Sequence, residues 1–314
     1  MSLTPANRIR LKILSGFLGS GKTTWLRHQL HEGALRGRVV IVNEAAAAAI
    51  DDALLADLAR VIVIPGGCIC CTRQAEFLAA LRRHCDQARP PDIVLETSGL
   101  AEPARIVEAI RADPVLVHHM VIDDVLVTVD AVHARASLQS DPLVRRQLVS
   151  ADRLLITKLD QLEEADVACL IATLRSINPG AQVTGTIRGE DARLPDHAGA
   201  EAFELPALAG QSEKPVVAAD IAIDPAMGWE VFSLWLSALL HARGDEIFRI
   251  KGVVRTPAGR VLLQCVQKSV LPPEILPETQ AGGGDFDNRV AFIGRGFDQS
   301  SLQRSITEFA ADKT

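Results

Sequence analysis

Tyrosine is absent from this chain of 314 residues, and aromatic residues make up only 4% of it. No apolar run is long enough to span a bilayer, and the first fifteen residues lack the apolar core of a signal peptide. We therefore expect a cytoplasmic protein. The net charge is -6 and no long basic run is present, so nothing favours a nucleic-acid or membrane-surface partner.

The composition is that of an ordinary globular protein, with 48% apolar and 23% charged residues. The length suggests two domains, each large enough to bury a core. Three of the six cysteines, Cys68, Cys70 and Cys71, lie within four positions. In a cytosolic chain such a cluster indicates metal or redox chemistry more often than a disulfide framework.

The first two thirds of the chain alternate short β-rich runs with helical segments. This alternation predicts an α/β domain over residues 1–205, with a mostly parallel sheet and helices on both faces. The predicted strands are 9–14, 39–43, 61–64, 92–96, 125–130 and 153–157, and the predicted helices are 22–32 and 74–84.

The pattern changes after about residue 200. Residues 206–215 contain Pro, Gly, Ser and charged side chains, which predicts a linker. Residues 216–314 then predict a smaller α+β domain with an antiparallel sheet. Its predicted elements are a strand at 216–223, a helix at 229–241, a hairpin of 246–255 with 260–268, a strand at 289–293 and a helix at 300–311.

A complete phosphate-loop motif, G-x-x-x-x-G-K-[ST], occupies residues 16–23 between a predicted strand and a predicted helix. Glycines let backbone N–H groups curl around phosphate oxygens, and the helix N-terminus adds partial positive charge. Lys22 is expected to reach the β- and γ-phosphates, and Thr23 to bind Mg²⁺. The alternative, a chance glycine-rich turn, does not account for the matching context. The predicted nucleotide-binding residues are Gly16, Gly19, Ser20, Gly21, Lys22, Thr23 and Thr24.

A carboxylate for the Mg²⁺ side follows the apolar strand 92–96. Glu96 ends that strand, and we predict that it holds Mg²⁺ and its waters. Gly99 follows three residues later, and its N–H is a candidate sensor of the γ-phosphate. The alternative for Glu96 is a solvated carboxylate at a strand end.

The strand 153–157 ends in T-K-x-D, formed by Thr157, Lys158 and Asp160. GTPases commonly carry N-K-x-D at this place, and the Asp accepts two hydrogen bonds from guanine. Adenine lacks that pair of donors, so the contact discriminates strongly. Lys158 is expected to pack its stem along the base. Thr157 in place of Asn weakens the match.

The thiols of Cys68, Cys70 and Cys71 suit Zn²⁺ or Cu(I), and a tetrahedral site needs about four donors. A fourth ligand would be a His, a carboxylate or water, and His118 and His119 are candidates. An adjacent His pair is more often a surface feature. The alternative is that the cysteines are buried small hydrophobes, which we favour for Cys85, Cys169 and Cys265.

Together these motifs resemble the CobW-type GTPases, a metallochaperone family within the SIMIBI class of P-loop proteins. The resemblance covers nearly the whole chain and runs through residues 15–24, 66–71, 96–103, 129–133, 157–160, 249–252 and 289–294. It implies a GTPase that binds GTP, Mg²⁺ and Zn²⁺ (or Co²⁺) and delivers the metal to a client metalloprotein or a cobalamin-pathway enzyme. It also implies that the second domain helps select the client. Assembly stays open, with a homodimer among the alternatives.

One segment departs from the family pattern. The family usually reads Asn-Glu-Phe-Gly-Glu after its second strand, whereas here Ala45–Ala49 follow Glu44, and Ala47 takes the place of the second acidic residue. Two interpretations stand: the switch is blunted, or alanine stands in this sequence for other natural side chains. An alanine run favours regular helix, whereas a switch loop needs conformational freedom, which favours the second interpretation.

The cysteine cluster lies between two predicted nucleotide-sensing segments, 43–52 and 96–99. If GTP orders those segments, metal affinity differs between the GTP and GDP states, and metal alters GTP affinity reciprocally. Two other functions are compatible with the motifs. One is a P-loop small-molecule kinase with incidental cysteines, and the other is a nucleotide-bound metal sensor without significant hydrolysis.

Overall fold

The computed structural model of the protein describes residues 8–43, 60–64, 74–87, 92–206, 216–244, 246–266, 269–270, 273–276 and 287–311. The chain divides into two compact units, Met1–Gln211 and Ser212–Thr314. None of the helices in the described ranges has the length and apolar character needed to cross a bilayer.

The first unit is an α/β sandwich. Its strands are β1 (Ile9–Gly16), β2 (Val39–Asn43), β3 (Arg60–Ile64), β4 (Asp92–Glu96), β5 (Met120–Asp130), β6 (Arg153–Thr157), β7 (Gln182–Ile187) and β8 (Glu190–Ala192). Its α-helices are α1 (Lys22–His31), α2 (Gln74–Gln87), α3 (Pro103–Ala112), α4 (Leu116–His119), α5 (Ala134–Ser140), α6 (Pro142–Val149) and α7 (Glu164–Ile177). A short 3-10 helix covers Leu159–Gln161.

Within the described residues, the sheet of this unit has eight strands in the order β3-β2-β4-β1-β5-β6-β7-β8. All neighbours are parallel except β7 and β8, which form an antiparallel hairpin. Strand β4 is buried along its whole length, as expected for a parallel strand covered on both faces. The predicted fold class is therefore confirmed.

The strand order determines where the site can form. Strand β1 lies between β4 and β5, and β6 follows β5. Because these strands are parallel, the segments that follow them meet at one edge of the sheet. Ligands of open α/β sheets bind at that carboxyl edge. The phosphate loop, Glu96, Asp130 and Thr157 all lie there, at or just after the ends of their strands.

The second unit contains an antiparallel sheet. Its elements are β9 (Val216–Ala222), α8 (Trp229–Arg243), β10 (Ile247–Thr256), β11 (Gly259–Val266), β12 (Ser269–Val270), β13 (Glu274–Leu276), β14 (Arg289–Arg295) and α9 (Gln299–Ala311). The strand order is β12-β11-β10-β14-β9, and β13 pairs with β11. An aromatic group of Phe232, Trp235 and Phe292 lies in its core. The predicted hairpin is confirmed, since Thr256 pairs with Gly259.

Candidate functional site

The phosphate loop joins β1 to α1 in a conformation that requires glycine at its first position. Gly16 has φ 139°, and a Cβ there would lie 2.3 Å from Oγ1 and 2.5 Å from the carbonyl oxygen of Thr128 on β5. A side chain at this position would therefore push the loop away from β5. At the other end Gly21, with φ 86°, is the N-cap of α1. The helix N-terminus consequently begins directly at the loop, where its free N–H groups favour an anion.

Lys22 is already oriented by the loop that it follows. Its ammonium Nζ donates to the carbonyl oxygens of Gly16 at 2.8 Å and Phe17 at 2.9 Å. An ammonium carries three protons, so these two bonds leave one for a phosphate oxygen. Burial lowers the pKa of Lys22 from its usual 10.5 to about 8, and the nearby carboxylate of Glu96 partly opposes that shift. The cation is therefore placed before any ligand arrives.

Thr23 and Glu96 form the acidic side of the site. The Thr23 hydroxyl donates to Glu96 Oε1 at 2.6 Å. Glu96 is only 1% exposed, and its Oε2 is buried without a hydrogen-bond partner in the described structure. Burial raises the pKa of Glu96, whereas the Thr23 hydrogen bond and the Lys22 charge lower it less strongly. An unpartnered buried carboxylate oxygen is costly, which indicates that this position is built for a ligand.

Buried hydroxyl groups link the phosphate loop to the strands beside it. Ser20 Oγ donates to the carbonyl oxygen of Phe17 at 2.7 Å and lies 2.6 Å from Thr128 Oγ1. Thr97 Oγ1 donates to Ser15 Oγ at 3.0 Å. The loop is thereby tied to both neighbouring strands. The sequence motif identified Ser20. Ser15 and Thr97 lie in the segments of family resemblance, but no role was assigned to them, and no pattern pointed to Thr128, because these contacts depend on the pairing of distant strands.

Gly99 packs directly against the phosphate loop. A Cβ on Gly99 would lie 2.6 Å from the backbone nitrogen and 2.8 Å from the Cα of Leu18. Only glycine permits this approach. The carbonyl oxygens of Gly99 and Ala101 accept hydrogen bonds from the buried amide of Gln147 on α6. Sequence reasoning missed Gln147, because it stands in no recognisable motif.

The T-K-x-D segment contacts the same loop. Thr157 Oγ1 lies 3.0 Å from the carbonyl oxygen of Ser20 and 3.2 Å from that of Val129, and its hydroxyl donates to them. The hydroxyl therefore joins the phosphate loop to the start of the base motif. Lys158 follows with φ 59°, in the left-handed region.

Lys158 is paired in the described structure with an acidic residue of the segment 129–133, to which the sequence analysis assigned no role. Its Nζ donates to Asp130 Oδ2 at 2.6 Å, and His133 Nδ1 lies 2.8 Å from the same oxygen. Burial raises the pKa of Asp130, but the hydrogen bonds from Lys158 and His133 outweigh it and hold that pKa below its usual range. His133 is exposed and bonded to Asp130.

A cavity of about 140 Å³ adjoins this segment and gathers several of the predicted residues. The turn of the β7–β8 hairpin closes one side of it, since a Cβ on Gly189 would lie 2.3 Å from Cβ of His28 on α1. Asp160 is exposed at the cavity. The lining residues include Gly21, Thr24, Trp25, Thr157, Lys158, Asp160 and Arg188.

The predicted thiol ligands Cys68, Cys70 and Cys71 lie outside the described residues, as do Glu44 and Ala45–Ala49. In the part of the chain that is described, no group of three or more His, Cys, Asp and Glu side chains could hold a metal ion. His118 is exposed, and Nδ1 of His119 lies 2.9 Å from the carbonyl oxygen of Val115. Of the other thiols, Cys85 and Cys265 are buried and Cys169 is half-buried.

Two family models match the chain. The CobW/HypB/UreG nucleotide-binding domain matches residues 10–185, and the C-terminal domain of the cobalamin synthesis protein CobW matches residues 216–310. The two matches fall one on each side of the predicted linker.

Curated relatives agree with these matches. The zinc chaperone YeiR of Escherichia coli is 30% identical over 302 residues, which cover 84% of this chain and 90% of YeiR. The zinc chaperone YjiA of the same organism is 37% identical over 190 residues, 59% of each chain. The zinc chaperone CobW of Pseudomonas aeruginosa is 32% identical over 217 residues, 58% of each chain. The matches to YjiA and CobW thus span less than two thirds of those proteins.

The fold is also that of a solved relative. The zinc-bound YjiA GTPase of Escherichia coli superposes with a TM-score of 0.61 at 22% identity, over 96% of this chain and 99% of that one. A zinc-bound triple mutant of YjiA gives a TM-score of 0.65 over the same shares. The resemblance drawn from the sequence motifs is confirmed. Because the matched nucleotide-binding domain covers more than half of the chain, and YeiR matches both units, this protein belongs to the CobW family of P-loop nucleotide-binding proteins.

Proposed function

We propose that this protein is a GTP-hydrolysing metallochaperone that binds Zn²⁺ and delivers it to a client. The observation that supports nucleotide binding and hydrolysis is the hydrogen bond between Thr23 and Glu96 beside the preformed phosphate loop. The family match and the relatives named as GTPases or zinc chaperones support the metal half.

The residues present fit a bound Mg²⁺. Thr23 donates its only proton to Glu96, so the lone pairs of its oxygen stay available for a cation. The unpartnered Oε2 of Glu96 adds a carboxylate oxygen, the ligand type that Mg²⁺ prefers. When bound, Mg²⁺ would neutralise the charge on the β- and γ-phosphates.

Guanine recognition is assigned to the T-K-x-D segment. Asp160 lies at the cavity between α1 and the β7–β8 hairpin, where its carboxylate is available to accept from the two adjacent donors of guanine. Thr157 fixes the distance between this segment and the phosphate loop through Ser20. Lys158 would exchange its ion pair with Asp130 for packing along the base.

Hydrolysis would depend on positioning and charge rather than on covalent chemistry. Lys22 supplies the positive charge on one side of the phosphates. Gly99, whose backbone packs against the loop, would offer its N–H to the γ-phosphate. The intrinsic rate is expected to be slow without a client.

Zinc is the cargo in this proposal, and Cys68, Cys70 and Cys71 are the proposed ligands, with Co²⁺ as an alternative metal. Thiolates are soft donors that suit Zn²⁺. The cluster lies in sequence between two segments that a γ-phosphate would order, so metal and nucleotide would influence each other. The client is a metalloprotein or a cobalamin-pathway enzyme in the cytoplasm, which the unit matching the CobW C-terminal domain would help select.

The first experiment is a nucleotide panel with phosphate release as the readout. The protein is incubated with Mg²⁺ and GTP, ATP or ITP, and free phosphate is measured against a Lys22→Ala control. GTP-selective release that is lost in the control supports the proposal. Equal release from ATP and GTP contradicts guanine recognition. Phosphate transfer to an added small molecule instead of water would indicate a kinase.

A further inference from the structure

A buried amide on α6 holds the segment that follows Glu96. Gln147 is 1% exposed, and its Nε2 donates to the carbonyl oxygens of Gly99 at 3.1 Å and Ala101 at 2.8 Å. Those acceptors are 48 and 46 positions away in the chain. An amide NH₂ has two protons, and both are used on this one short segment.

The segment that contains Gly99 packs against the phosphate loop. A Cβ on Gly99 would come within 2.6 Å of the Leu18 nitrogen, so the two backbones are in close contact. A displacement of the Gly99 backbone therefore changes its packing against Leu18 of the loop. Gln147 holds the carbonyl of Gly99 through a hydrogen bond from α6.

Helix α6 is a firm support for this amide. The Asn178 side chain donates to the carbonyl oxygens of Leu148 at 2.7 Å and Ala151 at 2.9 Å, which fixes the end of the helix. Strand β6, which ends at Thr157, begins at Arg153. Gln147 therefore connects the segment of Gly99 and Ala101 to α6, and the chain continues from α6 into β6, which ends at the T-K-x-D motif.

A neighbouring contact on the same helix is weaker. The Arg146 guanidinium donates to Glu102 Oε2 at 3.3 Å, and the Arg146 side chain is 48% exposed. Ion pairs at such exposure contribute little, because solvent screens them. We therefore attribute the fixed position of the segment to the hydrogen bonds of the buried Gln147 amide and not to this ion pair.

We infer that Gln147 is a positioning residue that sets the preference of this protein for GTP over GDP. It acts through the carbonyl groups of Gly99 and Ala101. Without its two donors, the segment loses the bonds that keep it against the loop, and ordering it for a γ-phosphate becomes more costly. GDP has no γ-phosphate, so its binding does not depend on that ordering. The inference rests on the proposed function.

The test compares Gln147→Met, which keeps the length of the side chain and removes both donors, with the unchanged protein. Dissociation constants for GDP and for the non-hydrolysable GTP analogue GMPPNP are measured with Mg²⁺ at one salt concentration. We expect the analogue to bind about tenfold more weakly and GDP affinity to change by less than about twofold. An equal loss for both ligands, or no loss, overturns the inference.

A matched control separates positioning from general stability. Thr173→Val removes a buried hydroxyl on α7 that donates to the carbonyl of Cys169 at 2.8 Å and accepts from the N–H of Phe203 at 3.0 Å. This variant should lower the melting temperature and leave the ratio of the two affinities unchanged. A ratio that changes equally in both variants means that Gln147 is only structural, which overturns the inference.

A second measurement needs no variant. Hydrogen exchange of the amides of residues 97–102 in the unchanged protein should slow with GMPPNP and not with GDP. Equal protection by the two ligands contradicts the inference and leaves the proposed function standing. Failure of the unchanged protein to bind any guanine nucleotide overturns the proposed function itself, and the inference with it.

Discussion

Thr157 donates its hydroxyl to the carbonyl oxygen of Ser20 at 3.0 Å. This bond joins the base motif to the phosphate loop across 137 residues of sequence. The Thr157 methyl also faces the loop, since a Cβ on Gly21 would lie 3.3 Å from Thr157 Cγ2. GTPases commonly place Asn here, and the hydroxyl of Thr supplies a donor at the same position. Although Thr replaces the Asn of N-K-x-D, the hydrogen bond between the base motif and the phosphate loop is present.

Replacing Thr157 with Val should weaken GDP binding by about tenfold, because the carbonyl of Ser20 loses a buried donor. The change is measured by titration calorimetry with GDP. Thr157→Asn retains a donor and should bind GDP within about threefold of the unchanged protein. Equal affinity of the Val variant and the unchanged protein would show that the connection is not needed.

GDP affinity should fall as the pH rises through about 8. The cationic form of Lys22 binds phosphate, and burial lowers its pKa to about 8 in the free protein. From pH 7 to 8.5 the protonated fraction falls about fourfold, and the affinity should follow it. In Lys22→Arg the guanidinium stays charged, so the profile should be flat, whatever its absolute affinity. A flat profile for the unchanged protein would contradict the role of Lys22.

Glu96→Gln should raise the Mg²⁺ concentration needed for GTP hydrolysis by about tenfold and lower the rate by about a hundredfold. The amide keeps an acceptor for Thr23 but loses the negative charge. Asp92→Asn is the matched control, since Asp92 is a buried carboxylate at the other end of β4 that pairs with Arg10. It should leave the Mg²⁺ dependence unchanged. The same response in both variants would remove Glu96 from the Mg²⁺ site.

Asp160→Asn should change the base preference of the protein from guanine to xanthine. The carboxylate accepts from N1–H and the amino group of guanine, whereas xanthine presents an oxygen in place of that amino group. An Asn side chain has the donor that this oxygen needs. Binding of GDP should weaken by about a hundredfold, and binding of XDP should strengthen. Competition with a fluorescent nucleotide measures both, and an unchanged preference for GDP would place guanine recognition elsewhere.

The local motifs could be read from the sequence because their spacing alone determines the chemistry. Residues 16–23 run from the end of β1 through the loop into the first turn of α1, and Glu96 and Thr157 end strands that were predicted from their apolar runs. The fold class followed from the same alternation. Strand β5 begins at Met120, earlier than predicted. Asp123 and Asp124 interrupt its apolar run in the sequence, and in the structure they pair with Lys12 and Arg153.

Other parts of the site could not be predicted because they depend on tertiary placement. Gln147 reaches Gly99 across 48 residues, and Thr128 reaches Ser20 across 108. Lys158 pairs with Asp130 only because β5 and β6 are neighbours. None of these contacts leaves a periodic pattern or a recognisable spacing. They follow from strand order, which the sequence constrained only as far as a parallel sheet.

The most direct test of this account is the Zn²⁺ affinity of the protein in the presence of GMPPNP and then of GDP. Co²⁺ serves as a spectroscopic substitute, because its charge-transfer absorption reports thiolate ligation. We predict thiolate absorption, a metal affinity that differs between the two nucleotide states, and loss of both in a Cys70→Ser, Cys71→Ser double variant. Equal affinity in the two states, or unchanged binding in the double variant, would contradict the coupling of the thiol cluster to the nucleotide site.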